Sequence, residues 1–465
     1  MALLFHPLLL GLASALHPPS SVFLPSTSSP ACGILFIDAF SPLHSGYMQE
    51  EALSSYGAGV VDALSPYVAR GLSAEDPSFD HSSLVPPLDA PSLAAWLSAL
   101  PFPISSVHCE SDAGLPFAQS LAAAISKLPE GSLLRSSPPA QHLCDKFLQN
   151  EALRAAGVPC VRQAVISTEP ELLASFASYE PPVILKPRVG VASENVHLCA
   201  TAASLASAFS NVRSSNKWGE YREEAGEALL QEFLPGAEFA VDCVSRDGQH
   251  KAAAVFVYDK TEAGCGPFAY RGTRLVAGDG GGVAADVVDY LSRCLTALDV
   301  RWGLTHSEVK LSASGSPLLV EVNRRQHNAA TAPLTGACLG YNALDMCLSA
   351  YLDPAGEGAW EEAPAAPWAG GGAPLPGSRG GMIVHLQCLA EGTVAAVNWE
   401  GDIRALGSFA EMELYEAFGV GCEVERTRTI RSDCGWVALV NEDEGALTED
   451  YERIVEWMDT MFEVE

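Results

Sequence analysis

The sequence predicts an α/β chain that turns α+β, built in three folded parts. Three observations predict it. Short apolar runs alternate with helical stretches before residue 140, the mark of a parallel sheet with crossover helices. Period-two alternation from residue 229 to 258 marks antiparallel strands. A run rich in Ala, Pro and Gly, residues 363–381, reads as a linker ahead of a last lobe, 382–465.

The first part, residues 31–140, opens on Gly33-Ile34-Leu35-Phe36-Ile37-Asp38, an apolar run ending in an acid and read as a buried parallel strand. A helix over Tyr47 to Tyr56, a strand over Gly59 to Leu64, a helix over Ala90 to Leu100, a strand over Ser105 to Cys109 and a helix over Leu115 to Lys127 follow. The core, residues 141–362, starts with an amphipathic helix, Asp145 to Ala156, stopped by Gly157-Val158-Pro159. Next come a strand (Arg162 to Ile166), a helix (Glu169 to Ser178), the strand ending in Lys186, and a helix (Ala202 to Val212). Residues 211–227 read as a polar surface excursion. Leu229 to Phe233, Ala237 to Val244 and Lys251 to Tyr258 are expected in one antiparallel sheet, and Val283 to Leu298 as a helix. Gly280-Gly281-Gly282 is a turn, because no buried strand leads into it as a dinucleotide fingerprint requires. Met382 to Cys388 is a strand and Leu447 to Phe462 the closing helix.

Of 465 residues, 48% are hydrophobic and 18% charged, which suits a soluble globular chain. Lys+Arg 27 against Asp+Glu 57 leaves a net charge of −30, so general nucleic-acid binding is excluded. The 13 cysteines form no CxxC pair, which argues against a zinc ribbon and for free thiols in a reducing compartment. An intracellular location, cytoplasm or organelle, follows. Residues 1–30 read as a leader, either a removable targeting segment or a plain floppy one: apolar to Ala15, Pro/Ser-rich after it, and without Lys or Arg. No segment predicts stable membrane insertion.

The chemistry concentrates at a few positions. Lys186 ends the apolar run Val183-Ile184-Leu185, where an ammonium is out of place unless it meets an anion. Gly190 and Ser193 lie in the loop just after it, whose backbone N–H groups can cradle phosphates. Glu308 and Glu321 alternate with apolar neighbours and can share one sheet face, with Asn323 beside them. Two carboxylates on one face repel unless a cation sits between them, and Mg²⁺ prefers such hard oxygens.

These landmarks, Asp145-Lys146, Lys186-Pro187, Gln231-Glu232-Phe233-Leu234-Pro235-Gly236-Ala237-Glu238, His306-Ser307-Glu308 and Glu321-Val322-Asn323-Arg324-Arg325, come in an order that resembles ATP-grasp carboxylate–amine ligases of the L-amino-acid (dipeptide) ligase type. The resemblance covers roughly residues 33–465. It implies an ATP-grasp fold with a pre-ATP-grasp α/β domain and a C-terminal α+β lobe. It implies ATP and Mg²⁺ (or Mn²⁺), with Lys146 and Lys186 on phosphate and Gly190 to Val196 as the closing loop. It places adenine on Glu232, Phe233 and Leu234, ribose on Glu238, and metal on Glu308, Glu321 and Asn323. Arg325 would stabilise the γ-phosphate or acyl phosphate, Arg324 would be structural, and Lys260 and Tyr270 would face substrate. Ala192 and Asn195 stand where the family often has glycine, as do His327 and Asn328 in the substrate pocket. Substrates would be a small-molecule carboxylate and an amine, amino acids foremost, joined as an amide; a homodimer is the family expectation. A silent nucleotide-binding regulator, an ATP-dependent carboxylase and an extracellular binding protein are the other readings. A zinc deaminase is discounted because His306-Ser307-Glu308 lacks the paired cysteines. Selectivity is expected in loops such as Gly264 to Leu275.

Overall fold

A computed structural model describes residues 22–26, 29–75, 85–140, 144–190, 193–214, 227–261, 268–276, 282–353, 358–362 and 379–465. Most of the leader, most of the linker, most of the polar excursion, part of the 264–275 loop and the Gly280-Gly281 part of the expected turn lie outside these residues.

The N-terminal strands are β1 (Val22–Phe23), β2 (Gly33–Ile37), β3 (Gly59–Ala63) and β4 (Ile104–Cys109), in the order β1-β3-β2-β4. β2 runs parallel to β3 and β4, as the strand–helix alternation predicts, and β1 adds an antiparallel edge. All five residues of β2 are buried, because helices cover both faces of such a sheet. Gly33 and Gly59 are needed here: a Cβ on either would lie within 2.4 Å of the Phe102 ring. The helices Tyr47–Ser54, Ala90–Ala99 and Leu115–Ile125 follow the expected positions.

A second small sheet holds β5 (Gln163–Ile166), β6 (Val183–Lys186), β7 (His197–Cys199) and β8 (Ala228–Glu232), in the order β5-β8-β6-β7. The expectation that Leu229 to Phe233 joins the strands after it is corrected here. β8 pairs with β5 and β6, and the chain leaves it through Pro235-Gly236 into another sheet. Pro235 has no N–H for a ladder, and Gly236 packs so closely on Leu311 that a Cβ would meet its carbonyl oxygen at 2.6 Å.

The third layer is an eight-stranded antiparallel sheet. Its first strands are β9 (Glu238–Arg246), β10 (Gln249–Thr261), β11 (Ala269–Leu275), β12 (Gly303–Leu311) and β13 (Pro317–Asn323). β14 (Gly380–Leu386), β15 (Gly392–Val397), β16 (Phe409–Leu414), β17 (Glu423–Val424), β18 (Gly435–Asn441) and β19 (Phe462–Val464) come from the C-terminal lobe. The large sheet runs β13-β12-β9-β10-β11-β14-β18-β16, while β17-β15-β19 form a small sheet. β11 occupies residues expected in a selectivity loop. Its inner residues Ala269, Tyr270, Thr273 and Leu275 are buried, and it joins core to lobe by pairing with β14. The amphipathic helix Val283–Ala297 packs on the far face through Val287, Tyr290, Leu291 and Leu295. Helices Thr331–Leu339 and Ala343–Leu352 were not expected, since both are apolar around most of their circumference.

Candidate active site

The register of β12 on β13 sets Glu308 opposite Glu321 and His306 opposite Asn323. Directly opposed residues of an antiparallel pair share a face, so both carboxylates enter one cavity. Their side chains are only 13% and 14% exposed, so each needs a cation close by. Lys146 supplies one: its Nζ is 2.6 Å from Glu321 Oε2 and donates to the Gly190 carbonyl at 2.8 Å. Asn323 donates to Glu321 Oε1 at 2.9 Å, and the Tyr270 hydroxyl reaches Glu308 Oε1 at 3.4 Å. Burial opposes ionisation of Glu308. His306, Lys260 and Lys146 overcome it and hold the carboxyl well below its usual range.

The phosphate lysines are fixed by local structure. Asp145 caps helix Lys146–Ala155 by accepting from Phe147 and Leu148 N–H, and its other oxygen pairs with Arg188 at 2.6 Å. Arg188 also bonds Glu227, and its carbonyl accepts from Lys146 N–H at 3.0 Å. The segment after Lys186 is thereby tied to the helix that starts at Lys146. Lys186 closes β6, is 5% exposed, and among the described residues has no ion-pair or hydrogen-bond partner for its ammonium. Burial first, and the neighbouring Lys146 second, pull its pKa down to about 8. The carboxylates of Glu321, Glu308 and Glu238 offset only part of that cost, and a buried cation with no direct partner is one prepared for an anion from outside.

The wall facing these lysines carries Glu232, Phe233 and Leu234. The Glu232 carboxylate is engaged, accepting from Arg162 N–H at 2.7 Å. Glu238 is held by Lys260 at 2.5 Å and Lys310 at 3.3 Å, so two cations already share the proposed ribose acid. Gly190 and Ser193 line the cavity, with Ser193 and Asn195 at φ 57° and 55°. Asn195 thus takes the left-handed conformation where glycine was expected. Ala192 lies outside the described residues.

Arg325 also lines the cavity, with its Nε 2.6 Å from Asp112 at the end of the N-terminal sheet. Arg324 turns away and donates to the Leu298 and Pro138 carbonyls, as a structural residue would. Lys260 stands over the rings of Tyr258 and Tyr270, and all three line the cavity. The whole space is about 1450 Å³, bounded by the small sheet, the large sheet, the Phe40–His44 loop and β16 of the lobe. The site residues expected from sequence therefore meet in one place.

Sequence reasoning missed Asp112, Tyr258, Asp242, the His306–His327 stack and the Arg431–Glu194 contact at 3.3 Å between lobe and glycine loop. Asp112 lies 213 positions from Arg325, and no spacing rule connects them.

The carboxylate pair fits a hard dication. Glu308 and Glu321 stand opposite each other, both largely shielded from solvent, and Lys146 bonds only one oxygen of Glu321.

Residues 179–332 match the ATP-grasp domain family. Over 215 residues the chain is 27% identical to a dapdiamide A synthase of Enterobacter agglomerans, covering 45% of this chain and 49% of that protein. Over 187 residues it is 29% identical to an uncharacterized protein of Sinorhizobium fredii, covering 40% and 37%. The matches span about half or less of these curated relatives. An L-amino acid ligase from Bacillus licheniformis superposes with a TM-score of 0.68 at 16% identity, over 94% of this chain and all of that one. A carboxyaminoimidazole ribonucleotide synthase of an Aspergillus, complexed with ATP, gives 0.61 at 14% identity over 93% and 99%. The chain carries the ATP-grasp fold. Among the described residues no helix is long and apolar enough to cross a membrane.

Proposed function

We propose that this ATP-grasp chain is a carboxylate–amine ligase that uses ATP to join two small molecules through an amide bond. The observation that carries the reading is the convergence of Lys146, Lys186, the Glu308–Glu321 pair and Arg325 in one cavity. The dapdiamide synthase relative and the L-amino acid ligase likeness support amino-acid-like substrates.

Lys186 and Lys146 bind phosphate oxygens; Lys186 gains a partner, and Lys146 exchanges part of its pairing with Glu321. Glu308, Glu321 and Asn323 would hold Mg²⁺, which when bound neutralises charge on the transferring phosphoryl group. Backbone groups of Glu232, Phe233 and Leu234 take adenine, and Glu238 takes ribose. The donor carboxylate oxygen attacks the γ-phosphorus, and the bond to the β-phosphate oxygen breaks. ADP leaves and an acyl phosphate remains. Arg325, held by Asp112, lies across the cavity to bind that phosphate. The amine then attacks the acyl carbon, phosphate departs, and the amine proton passes to solvent or phosphate. Positioning and fixed charge do the catalysis, with no covalent enzyme intermediate.

The test is phosphate release with Mg-ATP across pairs of amino acids. Release that requires both partners supports the reading. Release with bicarbonate and an amine alone would turn it toward a carboxylase. ATP binding without release from any substrate would turn it toward a silent nucleotide-binding protein.

A further inference from the structure

We propose that Asp242, His306 and His327 form a second metal site, which takes one transition dication of the zinc type through Asp242 Oδ1, His306 Nδ1 and His327 Nδ1. Three buried polar atoms converge at this place, and among the described residues none of the three has a hydrogen-bond partner. Such atoms are rare in folded proteins, because each one loses water without replacement. Asp242 and His306 are 6% and 5% exposed, and the His327 side chain is 8% exposed.

The separations fit a metal better than direct hydrogen bonds. Asp242 Oδ1 lies 3.5 Å from His306 Nδ1 and 3.3 Å from His327 Nδ1. Good N–H···O bonds are about 2.7–3.2 Å. A tetrahedral ion with bonds of about 2.0–2.1 Å holds its ligand atoms about 3.3 Å apart. One ligand atom from each residue lies within 4.8 Å of the others.

The outer nitrogens add a second argument. His327 Nε2 is 3.0 Å from the Tyr258 hydroxyl, and His306 Nε2 faces Glu308 Oε1 at 3.8 Å. A metal-binding histidine is commonly oriented by an oxygen on its far nitrogen, which leaves the near one for the ion. The donor set of two imidazoles and one carboxylate also separates this site from the all-oxygen set of Glu308, Glu321 and Asn323.

The rings are stacked, 3.9 Å between centroids and 16° from parallel. Each Nδ1 lone pair lies in its own ring plane and the planes are nearly parallel, so loading would turn one ring about its Cβ–Cγ bond. The bound ion would clasp the segment after Arg325 to β9, which carries Asp242, and to β12, which carries His306. It would be a structural clamp beside the reaction centre, and it does not depend on the proposed ligase activity.

The test uses the full chain, stripped of metal and without nucleotide, titrated with Co²⁺ at about pH 8, where the ion displaces any proton on the imidazoles. The expected result is about one tightly held Co²⁺ per chain, with the intense visible bands of a four-coordinate ion. X-ray absorption on the wild type should show two imidazole ligands and no sulfur. His327→Gln should abolish that binding, and Glu321→Gln should retain it. A thiolate charge-transfer band would assign the cobalt to the cysteines and overturn the proposal. So would an absence of imidazole ligands in the wild type, which does not depend on any variant folding. Loss in Glu321→Gln together with retention in His327→Gln would place the ion at the carboxylate pair and equally overturn it.

Discussion

Lys186→Met should make the nucleotide-free protein more stable and its grip on ATP weaker. The ammonium is 5% exposed and has no partner among the described residues. Burial first, then repulsion from Lys146, lowers its pKa from 10.5 to about 8. A tenfold change in proton affinity is worth about 1.4 kcal/mol, so holding the charge costs the folded state about 3 kcal/mol. Below pH 8 both folded and unfolded states hold the proton, and that cost is complete. Between 8 and 10.5 the folded protein has released it and the unfolded chain has not, so wild-type stability rises through that window. Methionine keeps most of the aliphatic stem and removes the charge. Urea unfolding at neutral pH should show the variant ahead by up to about 3 kcal/mol, and the gap should close as pH climbs toward 10.5. Loss of a charged hydrogen bond, about 1.5–3 kcal/mol, should weaken ATP by about 10- to 100-fold in calorimetry. A variant less stable than wild type at neutral pH, or an advantage that does not change with pH, would refute the reasoning.

Glu321→Ala leaves the Lys146 ammonium without its 2.6 Å partner, so urea unfolding should show a loss of about 3 kcal/mol. Turnover with Mg-ATP should vanish in the same variant, and a wild-type rate would remove Glu321 from the metal site. Asp112→Asn loosens Arg325 without touching the nucleotide wall. The turnover number should fall about 10- to 100-fold while ATP affinity holds within about twofold, and a large affinity loss would contradict the role given to Arg325. Arg431→Ala removes a half-exposed contact with Glu194, worth under about 1 kcal/mol. The KM for ATP should rise by no more than about fivefold with unchanged stability, and a tenfold loss of stability-corrected turnover would show that the contact does more than steady the loop.

Local patterns were readable and distant pairings were not. The apolar run before Lys186 and the alternation around Glu308 and Glu321 are one-strand signals, and the structure keeps both. Asn195 could be read as tolerant of a left-handed backbone because that property belongs to the residue alone. The placement of Leu229 to Phe233 depended on which strands lay beside it, and one-strand alternation carries no such information. β11 escaped notice for a similar reason: its buried residues are interrupted by Arg271 and Arg274, and its partner β14 lies beyond residue 363. Helix Thr331–Leu339 has almost no amphipathic face because it lies between layers, so the usual period was missing. In the site, single residues with unusual chemistry were legible. The groups that orient them, Asp112 for Arg325 and Asp242 beside His306 and His327, become neighbours only in the fold.

The most direct test of the central claim follows oxygen. An amino acid labelled with ¹⁸O in its carboxylate, an unlabelled amine partner and Mg-ATP are incubated with the protein, and phosphate and product are read by mass spectrometry. The account predicts one ¹⁸O in each released phosphate together with a new amide mass, because the carboxylate oxygen that attacks the γ-phosphorus leaves with it. Phosphate without label, or no amide, would mean that water or another acceptor takes the phosphoryl group, and would contradict it.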